Sequence, residues 1–244
     1  MSAELPPGPV AAVADGRAVL FLGAGASRGA KNVKGDNIPD STELAARIVQ
    51  DFLGKEYEGY DFRSAYDLAC SVRDVRTVQK FLFDQLNAFR PAAFHLLLTS
   101  FPWAGILTTN YDLIIERAYG QAKSPLQRLV PNVKDEDGAT QRLDHRSLLY
   151  VKRHGCITRH HEVHPPLIAS TEQLIAFREG RQGQFDTFLE WAKTKTLIFA
   201  GYAFLDSDLR LLFDQIIREG DNRPRHYIVN RNLLPLQEAY WRDR

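Results

Sequence analysis

The residues equipped for chemistry fall in five short runs: Gly23-Ala24-Gly25-Ala26-Ser27, Thr109-Asn110-Tyr111-Asp112, His154-Gly155, Gly201-Tyr202-Ala203 and Asn230. Each follows an apolar stretch of about strand length. Glycines directly after a strand let backbone N–H groups approach a pyrophosphate without an intervening Cβ. The plainer alternative for Gly23 and Gly25 is a tight turn with no ligand. Asn110 offers an amide where a simple turn residue would also serve, and Asp112 offers either a carboxylate or a helix cap. His154 precedes Gly155, which gives its imidazole room to project, and an unperturbed imidazole titrates near neutrality.

Three known motifs overlap the first run. A dehydrogenase fingerprint needs a second strand soon after the first helix, ending in an acidic residue for a ribose. Here Gly54 is followed by Lys-Glu-Tyr-Glu-Gly-Tyr, which is no buried strand. A Walker A loop needs Gly-Lys-Ser/Thr, which is missing. Gly25-Ala26-Ser27-Arg28-Gly29 matches the Gly-x-Ser-x-Gly of a serine hydrolase, but that elbow leads straight into a helix after several strands. This run follows the first strand and leads into a polar loop. His160, His161 and His164, with Glu162, have no regular metal-site spacing, so the expectation is a solvent-exposed loop and no metal. Cys70 lies in a helical pattern and reads as core. Tyr60, Tyr66, Trp103 and Trp191 read as packing residues.

The bulk properties bound the rest. The 244 residues are 44% apolar and 25% charged, enough for one sizeable core or a core plus a small lobe. A formal charge of +1 provides no strong pull toward nucleic acid or an anionic membrane. The apolar runs are far short of a membrane span. Met-Ser-Ala-Glu-Leu-Pro-Pro at the start has neither the basic nor the apolar region of a secretory signal. Cys70 and Cys156 form no CxxC pair, so a cytoplasmic protein with reduced thiols is expected.

The elements that must carry these runs can be read from pattern. Ala18–Gly23, Gly105–Thr109, Leu148–Lys152, Thr196–Ala200 and Tyr227–Val229 read as strands, with Pro166–Ala169 as a further short one. Asp40 with Glu43 marks a helix start, continued by Leu44, Ile48 and Phe52 on one face and stopped at Gly54. Asp61 to Ser100 is helical throughout, and Asp112 caps a helix over Leu113–Tyr119. The stretch Gly120–Arg146 is polar, with a turn at Asp137-Gly138. Ser170 or Thr171 caps a helix, another covers Phe185–Lys193, a face runs from Leu209 to Ile216, and a last helix spans Leu233–Trp241. Strands separated by helices predict a Rossmann-like, doubly wound, mostly parallel sheet with helices on both faces. The expected organisation is one domain over 1–244 with a helical insertion at about 55–101. The five polar runs would then meet at the carboxyl ends of the strands.

Taken in order from Ala18 to Asn230, the set resembles the sirtuin-like family. Its pieces are Gly-Ala-Gly-Ala-Ser, Thr-Asn-Tyr-Asp, His-Gly and Gly-Tyr-Ala-Phe-Leu-Asp-Ser-Asp-Leu. The likeness is nearest to the bacterial sirtuin-like domains of NAD⁺-depleting antiviral defence proteins. It implies that Ala24, Gly25, Ala26 and Ser27, behind Gly23 and beside Thr109, cradle the phosphates and nearby ribose of NAD⁺. Asn110 would hold the nicotinamide ribose and position a water, Asp112 would orient the carboxamide, and His154 would act as base. Gly201, Tyr202 and Asn230 would line the adenosine half.

The departures shape the expected activity. Protein-deacylating sirtuins carry two Cys-x-x-Cys pairs after the His-Gly, and this chain has only Cys156 there, so no zinc lobe is expected. The family's Gly-Ile-Pro-Asp-Phe-Arg reads here as Asn37-Ile-Pro-Asp-Ser-Thr42, without the Phe and Arg, and Ala203 stands where a Ser is usual. The resemblance therefore implies NAD⁺ hydrolysis to nicotinamide and ADP-ribose. The alternatives are an NAD⁺- or ADP-ribose-binding module without turnover, and a deacylase. The implied partners are NAD⁺ itself and a homo-oligomer, or a sensor, an ATPase partner or a fused domain. Because the sequence stops inside an apparent helix at Trp241-Arg-Asp-Arg244, a continuation of the chain is also expected.

Overall fold

Ala18-Val-Leu-Phe-Leu22 has no polar side chain, so it is stable only where both of its faces are covered. In the computed structural model it is the strand β1 (Ala18–Leu22), buried at every position. The structure describes residues 6–140, 143–162, 167–170, 173, 180–201, 224–229 and 238–239. Around β1 stand β2 (Gly105–Thr108), β3 (Arg128–Asn132), β4 (Ser147–Lys152), β5 (Thr196–Ala200) and β6 (Tyr227–Val229). Among the described residues they form one six-stranded sheet, ordered β3-β4-β2-β1-β5-β6, with every pairing parallel. The Rossmann-like α/β fold read from the pattern is thus the fold observed.

Register determines what the sheet presents. Leu22 pairs with Thr108 and with Ala200, Thr108 pairs with Lys152, and Ala200 pairs with Val229. One row therefore crosses the carboxyl end of the sheet from β4 to β6. The chain turns from one side of the sheet to the other between β1 and β5, and a crevice opens at such a switch point.

Alternation covers both faces. Val19, Phe21, Leu107, Val151 and Phe199 pack against Phe188 and Trp191. Gly105 makes room for Trp191, because a Cβ there would meet the indole ring at 2.5 Å. Leu20, Leu22, Ile106, Leu148 and Tyr150 pack on the other side against Ala12, Ile115 and Tyr119. The helices are α1 (Pro7–Ala14), α2 (Ser41–Phe52), α3 (Phe62–Val72), α4 (Val75–Leu86), α5 (Ala93–Leu97), α6 (Ile114–Gln121), α7 (Asp135–Thr140) and α8 (Gln182–Thr194). Asp40 and Glu43 form the expected capping box of α2. Helices α2, α3 and α4 share a core built on Ile48, Tyr66, Val78 and Leu82. No helix among the described residues is long and apolar enough to cross a membrane.

The structure corrects several local expectations. The polar stretch after Gly120 contains β3, an edge strand. Its Arg128-Leu-Val-Pro-Asn132 sequence is bounded by polar residues and too short in apolar ones to stand out, and Pro131 is tolerable only because an edge strand need not donate on both sides. No strand forms at 167–169. Leu167, Ile168 and Ala169 are buried there without a ladder, and Ile168 N–H donates to the His154 carbonyl at 2.9 Å. Helix α1, which starts with Pro7 in the first turn, had no counterpart in the pattern reading. Tyr60, expected to pack, is exposed, and Cys70 is only partly buried. The expected Leu209–Ile216 face and most of the Leu233–Trp241 helix lie outside the described residues.

Candidate active site

The aligned strand ends bring three of the polar runs into contact. Thr108 Oγ1 donates to the Leu22 carbonyl at 2.8 Å and accepts from Asn110 N–H at 3.0 Å, which turns the chain as β2 ends. Asn110 Nδ2 then donates to the Gly23 carbonyl and to Ser27 Oγ, both at 3.0 Å. A carbonyl can only accept, so the amide orientation is settled, and Oδ1 is the atom left to act as an acceptor. Ser27 Oγ in turn donates to Asp112 Oδ2 at 2.6 Å. Asp112 Oδ1 accepts the N–H of Ile114 at 3.0 Å, so α6 begins at Ile114 rather than at Leu113.

His154 reaches the same place from β4. Lys152-Arg-His154 leaves the sheet, and Gly155 (φ +94°) makes the turn, where any other residue would be strained. The imidazole is nearly buried, with its ring centroid 6.4 Å from that of Tyr111. Tyr111 Oη donates to the Ile168 carbonyl at 2.6 Å.

These groups surround a cleft of about 190 Å³. Ala24, Ser27, Thr109, Asn110, Asp112 and His154 line it, together with the apolar side chains of Ile38, Phe62 and Tyr111. Complete small-molecule sites run to roughly 300–1,000 Å³, so this volume suits one ring-sized end of a larger ligand.

Other expected site residues stand differently. Gly25 and Ala26 do not line the cleft. Gly25 N–H donates to the Gly201 carbonyl at 2.7 Å and Ala26 N–H to the Gly23 carbonyl at 2.9 Å. An anion would have to displace the Gly201 carbonyl to reach Gly25 N–H. Gly201 (φ +68°) lies against this loop so closely that a Cβ on it would meet Ala26 N at 2.1 Å. Tyr202, Ala203 and Asn230 lie outside the described residues. So does His164; His160 donates from Nδ1 to the Ile157 carbonyl and packs on Phe83, while His161 is exposed.

The structure adds residues that pattern reading missed. Phe62 and Arg63, from the start of α3, line the cleft beside Ile38, Pro39 and Asp40. The packing of α3 on α2 brings Phe62 and Arg63 beside the Ile38–Asp40 segment. Asp61 caps α3 through the N–H groups of Arg63 and Ser64. His95 is buried behind the glycine loop. Its Nδ1 accepts Ala92 N–H at 2.9 Å, so Nε2 carries the proton and donates to the Ala26 carbonyl at 2.7 Å. Nothing in the sequence separates His95 from the core positions around it.

A parallel, doubly wound sheet that gathers a glycine loop, an Asn-Tyr-Asp run and a His-Gly at its carboxyl edge defines a Rossmann-like α/β protein. Residues 104–244 match the SIR2-like domain, and the chain belongs to that family. It is 28% identical over 242 residues to the NAD(+) hydrolase ThsA of Cytobacillus dafuensis, an alignment covering 93% of this chain and 45% of that protein. The chain thus spans less than half the length of this relative.

Proposed function

We propose that the chain is an NAD⁺ hydrolase that cleaves the nicotinamide–ribose bond to give nicotinamide and ADP-ribose. The observation that carries the reading is the convergence of Ser27, Asn110, Asp112 and His154 on one cleft that Ile38, Phe62 and Tyr111 also line. Likeness to a protein named as an NAD(+) hydrolase supports it. Nicotinamide leaves a pyridinium as a neutral base, so no general acid is needed. The site must hold the cofactor in a reactive pose, stabilise an oxocarbenium-like ribose and supply a nucleophile.

The residues suit those tasks. The apolar side chains of Ile38, Phe62 and Tyr111 accept a flat ring. Asn110 Oδ1, fixed by the two bonds of its own Nδ2, is available to a ribose hydroxyl or to water. His154 takes the proton from the attacking water, directly or through a ribose hydroxyl. Asp112 holds Ser27 and the start of α6, and Gly23, Ala24 and Thr109 form the rim toward the phosphates. Tyr202, Asn230 and the neighbourhood of Gly201 are assigned to the adenosine half.

On this reading the chain works as a single sirtuin-like domain with a helical insertion at about 55–101. It acts in the cytoplasm as a regulated, NAD⁺-depleting effector of bacterial antiviral defence, in a homo-oligomer or with a sensor or fused domain, and without zinc. Incubation of the assembled protein with NAD⁺ and chromatography of the products tests the reaction. Equimolar nicotinamide and ADP-ribose support it. Binding of NAD⁺ by calorimetry without product would instead make the domain a binding module.

A further inference from the structure

Lys152 ends β4 and is completely buried. Lysine is almost never found so unless its charge is paired. Its Nζ donates to Glu116 Oε1 at 2.7 Å and to the main-chain carbonyl of Asp112 at 2.5 Å, with the Tyr150 ring 5.5 Å away. Burial alone would drive the ammonium toward neutrality. The Glu116 charge reverses this and keeps Lys152 protonated.

Stability does not explain the arrangement. Desolvating an ion pair is costly, and a well-packed apolar pair of similar volume is often as stable or more so. The pairing is also incomplete, because Glu116 Oε2 is buried without a hydrogen-bond partner among the described residues. What an apolar pair could not supply is the bond to the Asp112 carbonyl. That bond ties the loop after β2 to the end of β4, and His154 follows only two residues later. Beyond the carbonyl, the Asp112 side chain holds Ser27 Oγ, and Ser27 Oγ accepts from Asn110.

We propose that Lys152 is a positioning residue, with Glu116 as its counter-ion, that sets where Asp112 and Asn110 stand relative to His154. Only the kinetic consequence rests on the proposed NAD⁺ hydrolysis; the geometric one does not.

The test is the double variant Lys152→Met/Glu116→Leu, which keeps volume and removes both charges. It should still unfold cooperatively and be no less stable than Ser27→Ala, which loses the same Ser27–Asp112 bond. A crystal structure should show residues 109–113 displaced and the Ser27–Asp112 bond lost. The kcat for nicotinamide release should fall about 100-fold, the scale of a misplacement near 1 Å, with KM for NAD⁺ little changed. A 109–113 loop still in place overturns the proposal whatever the rate, and so does wild-type kcat. A double variant that fails to fold overturns it too, since the pair would then be structural. Should the wild type release no nicotinamide, the hydrolase reading falls while the crystal comparison still decides the role of Lys152.

Discussion

The Ser27 hydroxyl donates to the Asp112 carboxylate across 2.6 Å and so joins the loop after β1 to the loop after β2. The same oxygen accepts from Asn110, so one hydroxyl serves both neighbours. Ser27→Ala leaves Asp112 Oδ2 and one Asn110 proton without this partner. Unfolding free energy should fall by about 1–3 kcal/mol, measured by chemical denaturation, and NAD⁺ cleavage should fall with it. A fluorophosphonate probe should not label Ser27; labelling there would support the serine-hydrolase alternative.

His154→Ala should lower nicotinamide release by about 10²–10⁴-fold, the usual worth of a general base. Asn110→Ala should lower it comparably, by misplacing the ribose or the water. Asn110 also bonds Gly23 and Ser27, so its variant should lose about 1 kcal/mol of stability as well. Turnover measured beside thermal unfolding separates the two effects. Near wild-type turnover in either variant removes that residue from the site.

His95 holds the glycine loop from behind, which predicts an effect on binding rather than on bond cleavage. His95→Gln keeps a donor where Nε2 meets the Ala26 carbonyl, whereas His95→Leu removes it. The Leu variant should raise KM for NAD⁺ several-fold more than the Gln variant, at similar kcat. Equal KM values for the two would show that the Ala26 bond has no part in binding.

Gly201 tolerates no side chain, since its φ of +68° and its approach to Ala26 both require glycine. Gly201→Ala should push the glycine loop away and abolish detectable NAD⁺ binding by calorimetry. Retained affinity would mean that the loop-to-loop contact is dispensable.

Asp61 caps α3 immediately before Phe62 and Arg63, and hydrogen bonds from Ser64 hold its carboxyl below the usual range. A carboxylate with a lowered folded pKa stabilises the fold above its unfolded value of 3.8 and loses that contribution as pH falls through the folded value. Asp61→Ala should therefore cost about 1 kcal/mol at pH 7, and the gap should shrink as pH falls below about 4. A constant gap across that range, in denaturation curves at each pH, would rule the cap out as its origin.

Much of this molecule is legible along the chain. Strands β1, β2, β4 and β5 could be read because a buried strand is largely apolar, and such runs stand out against the polar loops between them; β6, at the end of the sheet among the described residues, is legible from the short apolar run Tyr227–Val229. Their order with the helices implied a parallel sheet, and a parallel sheet collects whatever follows its strands at one edge. Asn110, Asp112, Ser27 and His154 are therefore visible as candidates in the sequence itself. Tertiary structure alone decided the rest. Strand β3 is recognisable only by its pairing with β4, because an edge position relaxes the demand for apolar residues. Phe62 and Arg63 enter the cleft only because α3 packs on α2. Lys152 and His95 lie in patterns that read as strand and helix interior, and their partners, Asp112 and Ala26, are 40 and 69 residues away. Periodicity reports which face of an element is buried; which distant backbone carbonyl a buried donor meets is set by how the elements dock.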